Sequence, residues 1–449
     1  MCYPHIEFFR YEVADLTVHA ANSKVFMAFC DVTRLKIIDL LREGEKCATV
    51  LREKVDAGQS TLSHHMKSLV ESGVVIARKE GKWTFYSISE SGARYAAKLL
   101  KYLTSGSPAA VFNKISLNAI HTDKMQLTEG HAVTRLPIDK SEEKRRNEPV
   151  KPFTIVVDTS SDLTPEFIKE NDIKIMPIPF VLNGIDHNEG YWQNISAKEF
   201  YDALRNGGIA GTSQINPDTF VKDFEAYAKR DEDALYIILS SGLSATYQSS
   251  QIALADIKEA YPDCNIFPID SIAATCVSTL LIKLAVEKRN EGFSAAQTAA
   301  WLEEKKNYIH GVFTVDDLMY LHRGGRLSKL SAVGGSLLGI KPVLNINPDG
   351  TLGLKEKIRG RDAALKLLVT IMERSIAPGK TVEKLIITHT DCAEDALKLE
   401  KMVREKYDIK ELETILMGPV IGAHVGPGTA ALIYEADMKR QEFEDKYYK

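Results

Sequence analysis

The chain of 449 residues contains no apolar run approaching the roughly 20 residues that a membrane-spanning helix needs. Cysteine is sparse: Cys2, Cys30, Cys47, Cys264, Cys276 and Cys392 are scattered, with no CxxC and no paired spacing. That distribution excludes a disulfide framework and predicts reduced thiols in a cytoplasmic protein. The opening MCYPHIEFFRYEVADL carries acids inside its apolar stretch, so no secretory signal is expected there. Neither charge sign dominates: 57 Lys and Arg face 61 Asp and Glu, a formal net charge of -4. A protein that coats nucleic acid over its whole surface is thereby excluded, although a local basic face is not. GxxxxGK[ST] is absent, which removes nucleotide hydrolysis through a P-loop. There is no internal repeat and no low-complexity tract. What is present, 44% apolar and 26% charged residues, is ordinary globular composition over a length that predicts two or three domains.

The pattern weakens between about residues 105 and 152, where SGSPAAVFNKISLN and TEGHAVTRLPIDKSEEKRRNEPVKP are polar, charged and rich in turn formers. This reads as a linker, with at most one short docked segment near Val111 to Ile120. Residues 1–104 form a module of helical periodicity. Residues 153–449 alternate buried strands such as TIVV, ALYIIL and KLIIT with amphipathic helices, the α/β signature.

In the first module, DVTRLKIIDLL opens on a capping aspartate, Asp31, and suggests an inward stripe of Leu35, Ile38 and Leu41. A second helix is expected over Ala48 to Val55. In GQSTLSHHMKSLVESG, Leu62, Met66 and Leu69 follow i, i+4, i+7 and turn inward, so Gln59, Ser60, Thr61, Ser63, His64 and Lys67 face out. Hydroxyls and an imidazole with a lysine behind them suit base edges and phosphates in a major groove. The period then changes to a hairpin with a Glu80-Gly81 turn, whose tip carries Arg78, Lys79 and Lys82 for a DNA backbone. Singly, such residues are ordinary solvated positions; the succession of helices, basic hairpin and closing helix is what points to DNA. AFCDVTRLKIIDLLREGEKC, STLSHHMKSLVESGVV and KEGKWTFYSI resemble the ArsR/SmtB family of winged-helix repressors. The resemblance implies a homodimer joined through its first and last helices on a palindromic double-stranded operator. Where the family carries a metal box of the form ELCVC, this chain has EKCAT. Cys47 is the one thiol left of the pair, and with Cys2, His5 or Cys30 it makes a weak soft-metal site, so no metal is expected.

The longer region concentrates small polar residues in a few turns: DTSSD from Asp158, GTSQ with Thr212 and Ser213, LSSGLSATYQSS from Leu239, and GAHVGPG around His424. In an open α/β sheet such turns gather at the carboxyl ends of strands, where ligands bind, and a strand-to-helix turn offers N–H groups to an anion. Each alone is ordinarily a helix cap; their density suggests a pocket that would include Asp158, Ser160, Ser213, Ser241, Gly242 and Thr246. GLSAT is near a nucleophile elbow, and Ser244, His424 and Asp158 could be written as a triad, but the second glycine is missing, so no catalytic residue is assigned. A carboxylate-binding site fits the hydroxyls better. FTIVVDTSSDLTPE, GTSQINPDTF, LSSGLSATYQSS, DLMYLHRGGRLS, LLGIKPVL and VIGAHVGPGT resemble, in order, the DegV family of fatty-acid-binding proteins. The implied fold is a multidomain chain, an α+β winged helix-turn-helix followed by a two-lobed α/β domain with the lipid between its lobes. The implied ligand is a long-chain fatty acid, with no other cofactor. By motif, Thr212 and Ser244 would grip its carboxylate, His424 would orient them, and Arg326 of RGGR would dock a partner. Ala245 replaces the family's glycine, and Ile272 and Cys276, beside a departure in the DSIA turn at Asp270, would shape the tail tunnel. The expected function is a lipid-responsive transcriptional regulator that is not an enzyme. The alternative is a carrier presenting its acyl chain to a fatty-acid kinase, with the winged helix as dimeriser. The long linker offers no evident mechanical route between the domains.

Overall fold

The computed structural model describes residues 23–55, 58–80, 83–104, 151–188, 191–192, 194–327, 339–377 and 379–448. The segment near Val111 to Ile120, together with Cys2, His5 and Lys82, lies outside the described residues.

A helical stretch over 23–29 precedes α1 (Val32–Leu41), whose N-terminus is capped by the Asp31 carboxylate accepting from Arg34 N at 2.9 Å. The inward stripe expected in α1 is met at Leu41 and, half-buried against the core, at Ile38; Ile37 and the stem of Arg34 complete it, while Leu35 is 46% exposed. The helix carries two apolar faces, and periodicity alone does not say which one meets the core. After β1 (Lys46–Cys47) and α2 (Ala48–Val55) comes α3 (Gln59–Glu71), which buries Leu62, Met66 and Leu69 as their spacing predicts. β2 (Val75–Glu80) and β3 (Trp83–Ile88) pair antiparallel from Val75↔Ile88 to Glu80↔Trp83, and β1 adds to β3, giving the order β1-β3-β2. α4 (Glu90–Thr104) closes the module.

The longer domain has two lobes. In the first, β4 (Phe153–Asp158), β5 (Lys174–Met176), β9 (Asp233–Ile238) and β10 (Ile266–Asp270) form a parallel sheet of order β10-β9-β4-β5. Its strands are apolar on both faces, as a sheet covered by helices on each side requires. α5 (Pro165–Glu170) follows β4. A small antiparallel sheet of β6 (Phe180–Leu182), β7 (Ile185–His187) and β8 (Ala210–Thr212), packed by α6 (Ala197–Arg205), forms a flap at its side. Helices α7 (Pro217–Arg230) and α8 (Thr246–Ala260) flank β9. α9 (Cys276–Asn290) is buried from Cys276 through Ile282 and lies between the lobes, followed by α10 (Ala295–Lys305). The second lobe is a six-stranded mixed sheet of order β13-β12-β11-β16-β14-β15. Its strands are β11 (Ile309–Thr314), β12 (Ile340–Ile346), β13 (Leu352–Arg359), β14 (Val382–His389), β15 (Ile409–Leu416) and β16 (Ala430–Glu435). Its helices are α11 (Met319–Arg323), α12 (Arg361–Ser375), α13 (Ala393–Arg404), α14 (Pro419–Val425) and α15 (Arg440–Tyr447).

The winged module rests directly on the first lobe. Ile252 and Ala255 of α8 belong to the same buried cluster as Leu41, Leu69, Val74 and Leu99. Arg94 of α4 forks onto Asp256 at 2.9 and 2.8 Å, Lys98 pairs with Glu259 at 2.5 Å, and Ser91 Oγ donates to Asp218 at 2.9 Å. The two domains therefore share a contact that does not run through the linker.

Candidate lipid site between the lobes

Between the lobes runs a narrow tunnel of about 820 Å³, its open mouth included. Its walls are apolar: Val277, Gly311, Phe313, Ile346, Val420 and Ile433 are among them. Its polar end is built by Thr212, Ser213, Ser244, Arg326 and His424, brought together from β8, the turn before α8, the residues after α11, and α14. Thus the structure gathers the three carboxylate candidates at one end of one tunnel.

Thr212 Oγ1 lies 2.8 Å from His424 Nε2. The imidazole is half-buried, and its desolvation, reinforced by the nearby Arg326 charge, brings its pKa down to about 3, so the ring is neutral at physiological pH. Its Nδ1 is buried without a hydrogen-bond partner, against Gly324. A buried N–H left unpaired costs more than a buried lone pair of the same ring, which assigns the proton to Nε2. His424 then donates to Thr212, which leaves the threonine O–H available to donate elsewhere.

Ser244 is set in the same sense. Its Oγ accepts from Thr246 N at 3.2 Å and lies 2.9 Å from Thr246 Oγ1, which itself accepts from Ile215 N at 3.3 Å. Either hydroxyl can donate in that pair; where Thr246 donates, the Ser244 hydrogen is free for an acceptor in the tunnel. Two hydroxyls beside a neutral imidazole form a group of donors that could meet a carboxylate.

The remaining pocket candidates hold the frame. Asp158 accepts from Ser160 N, Ser160 Oγ and Leu239 N at 2.9, 2.5 and 2.7 Å, which fixes the end of β9 where the serine-rich turn begins. With its oxygens so occupied, Asp158 makes no hydrogen bond to His424, and the hydrolase arrangement is not assembled. Ser213 borders the mouth, and Ser241 N donates to Asp270 at 3.1 Å. Gly242 cannot carry a side chain, because a Cβ there would stand 2.8 Å from the backbone of Gly350 and Thr351. Ile272 and Cys276 do not line the tunnel: Cys276 turns into the core, its thiol pushed up to about 12 by burial, and its neighbour Val277 supplies the wall. Two further residues escaped the sequence reading. Buried Asp162 accepts from Gly418 N at 2.9 Å, at the start of α14, and from Thr275 Oγ1 at 2.6 Å. Thr275, at φ 51°, holds the strained corner that starts α9 and lines the tunnel.

Residues 152–437 match the family model described as DegV. The chain belongs to the DegV family. A DegV domain-containing protein of Clostridium perfringens is 38% identical over 290 residues, 65% of this chain and 99% of the relative. Among solved structures, a Thermotoga maritima protein whose structure "reveals fatty acid binding function" superposes with TM-score 0.55 at 27% identity, covering 64% of this chain and 99% of that one. The fatty acid binding DegV family protein of Streptococcus agalactiae gives TM-score 0.56 at 27% identity, covering 64% and 100%. Beyond the DegV domain, residues 31–77 match the model of bacterial regulatory proteins of the arsR family.

Outside the DegV domain, α3 exposes Gln59, Thr61, Ser63, His64 and Lys67, while His65 turns inward toward Asp31 at 3.5 Å. Arg78 is held by Glu45 at 2.7 Å and Glu80 at 2.6 Å; Lys79 stays exposed. Cys47 sits in β1 opposite Phe85, half-buried, and Cys30 is exposed. Arg326 stands where the tunnel meets a larger cleft, half-buried, with Nε donating to Leu243 O at 3.1 Å.

Proposed function

We propose that the protein binds a long-chain fatty acid between the DegV lobes and is a lipid-responsive DNA-binding regulator. The observation that carries the lipid reading is the apolar tunnel lined at its mouth by Thr212, Ser244 and neutral His424. Burying the tail is worth about 0.8 kcal/mol per CH₂, and each hydroxyl bond to a carboxylate adds about 1.5 to 3 kcal/mol, offset in part by desolvation. The tail thus supplies affinity and the hydroxyls supply register. The DNA reading rests on the arsR match and on the outward face of α3, with Ser60 and Lys82 as further contacts. The homodimer reading rests on the uncovered apolar residues Met27, Phe29, Val32 and Leu35 at the first helices. The alternative, a carrier presenting its lipid to a kinase through Arg326, is less favoured because the tunnel mouth opens beneath the winged module.

Native mass spectrometry with lipid extraction on protein purified from cells tests the reading. A fatty acid is expected on the wild type and lost from Thr212→Ala with Ser244→Ala, whereas Ser244→Ala alone weakens retention without abolishing it. Protein that neither carries nor takes up a fatty acid would refute it.

A further inference from the structure

The tunnel mouth opens into a cleft of about 2780 Å³, open solvent included, between the DegV domain and the winged module. One wall is Thr212, Gln214, Ser241 and Arg326; the other is Ser63 and Lys67 of α3 with Lys79 of β2. Lys67 Nζ lies only 3.1 Å from where a Cβ on Gly325 would be. A reading helix must sink into a groove about 8.5 Å deep with phosphate backbones on both sides, and the DegV domain occupies that room. The contact is also wired to the lipid site. Gln214 Nε2, two residues from Thr212 in the same turn, donates to Val70 O at 3.0 Å near the end of α3 and approaches Ser249 Oγ at 3.3 Å.

We propose that the DegV domain is an intramolecular mask over the DNA-reading face, and that fatty acid and duplex DNA are antagonistic ligands of this chain. A carboxylate gripped by Thr212 steadies the turn that holds Gln214 against α3, and so favours the docked state. Undocking frees α3 and the hairpin. By linkage, DNA then weakens lipid binding by the same factor as lipid weakens DNA binding. The lipid half of this inference rests on the fatty-acid reading above; the masking half does not.

The test uses the full chain, delipidated or loaded with palmitate, and a labelled 30-base-pair duplex of random sequence at low salt, where phosphate contacts dominate. Arg94→Glu with Lys98→Glu breaks the ion pairs to Asp256 and Glu259. That variant is more acidic, so plain electrostatics would weaken its DNA binding. The expected result is the opposite: at least tenfold tighter binding than the palmitate-loaded wild type, with no response to palmitate. Adding Asp256→Arg and Glu259→Lys should restore both masking and the palmitate response. Gln214→Ala should keep palmitate but lose its effect on DNA. Equal DNA affinity of the undocked variant and the loaded wild type, or palmitate tightening DNA binding, overturns the proposal. If palmitate is not retained by the wild type while undocking still tightens DNA binding, the mask stands and the fatty-acid reading falls.

Discussion

Gly324 shows how narrowly the proposed carboxylate cradle is built. A Cβ there would lie 2.4 Å from His424 Nδ1, so any side chain pushes the imidazole out of line with Thr212. Gly324→Ala is therefore expected to cost about 1 to 3 kcal/mol of stability through overpacking and, as expected of Thr212→Ala, to lower lipid retention. Normal retention by mass spectrometry in Gly324→Ala would show that the ring does not set the threonine. Thr212, Ser244 and His424 were legible as residues because hydroxyls and an imidazole in glycine-flanked turns have few other purposes in such density. The donor roles proposed for them were not, since these depend on which partner each atom lacks. Gln214 and Asp162 were illegible for a related reason: their bonds reach Val70 and Gly418, and no local pattern announces a contact of such sequence separation.

At the scale of elements, α14 is tied to the first lobe through Asp162, and that tie is sensitive to pH. Burial, with the neighbouring Asp158 carboxylate adding to it, raises the Asp162 carboxyl to about 7 from an ordinary 3.8. Its folded pKa is above its unfolded one, so its contribution to stability is complete below about 3.8 and is lost as pH rises through about 7. Buried His310 and half-buried His424, both brought down to about 3, act oppositely, losing stability as pH falls below 6.5. Comparing wild type with Asp162→Asn cancels the histidines. The wild type should lose ground to the variant by up to about 1.4 kcal/mol per pH unit between pH 4 and 7. Denaturant titrations giving a pH-independent difference would place Asp162 outside this role. Element order itself was readable: the spacing of Leu62, Met66 and Leu69 gave α3, and the change to period two gave the hairpin. Within α1 only Leu35 departs from the expected inward stripe, because Ile37 takes the core position and Leu35 joins Val32 on a second apolar stripe that can serve a partner as well as a core.

For the whole molecule, that second stripe becomes the question of assembly. Met27, Phe29, Val32 and Leu35 are 56%, 37%, 70% and 46% exposed, close together at one end of the winged module. On α4 the labour is divided by face: Ser91, Arg94 and Lys98 meet the DegV domain, Tyr95, Ala96 and Leu99 enter the module's core, and Leu100 is left 54% exposed. Docking in cis thus leaves free the surface that the arsR resemblance assigns to pairing. A solvent-facing apolar group of this kind marks an interaction site, and a second copy satisfies it with the symmetry that commonly joins identical chains. Light scattering should give twice the 50.0 kDa of the chain. Val32→Glu with Leu35→Glu places like charges across the two-fold interface and should return a folded monomer that still carries its lipid, since the tunnel lies wholly within the DegV domain. A dimer that survives both charges would move the interface elsewhere. A wild type that is monomeric at tens of micromolar would leave operator binding to single modules and remove the basis for a palindromic site.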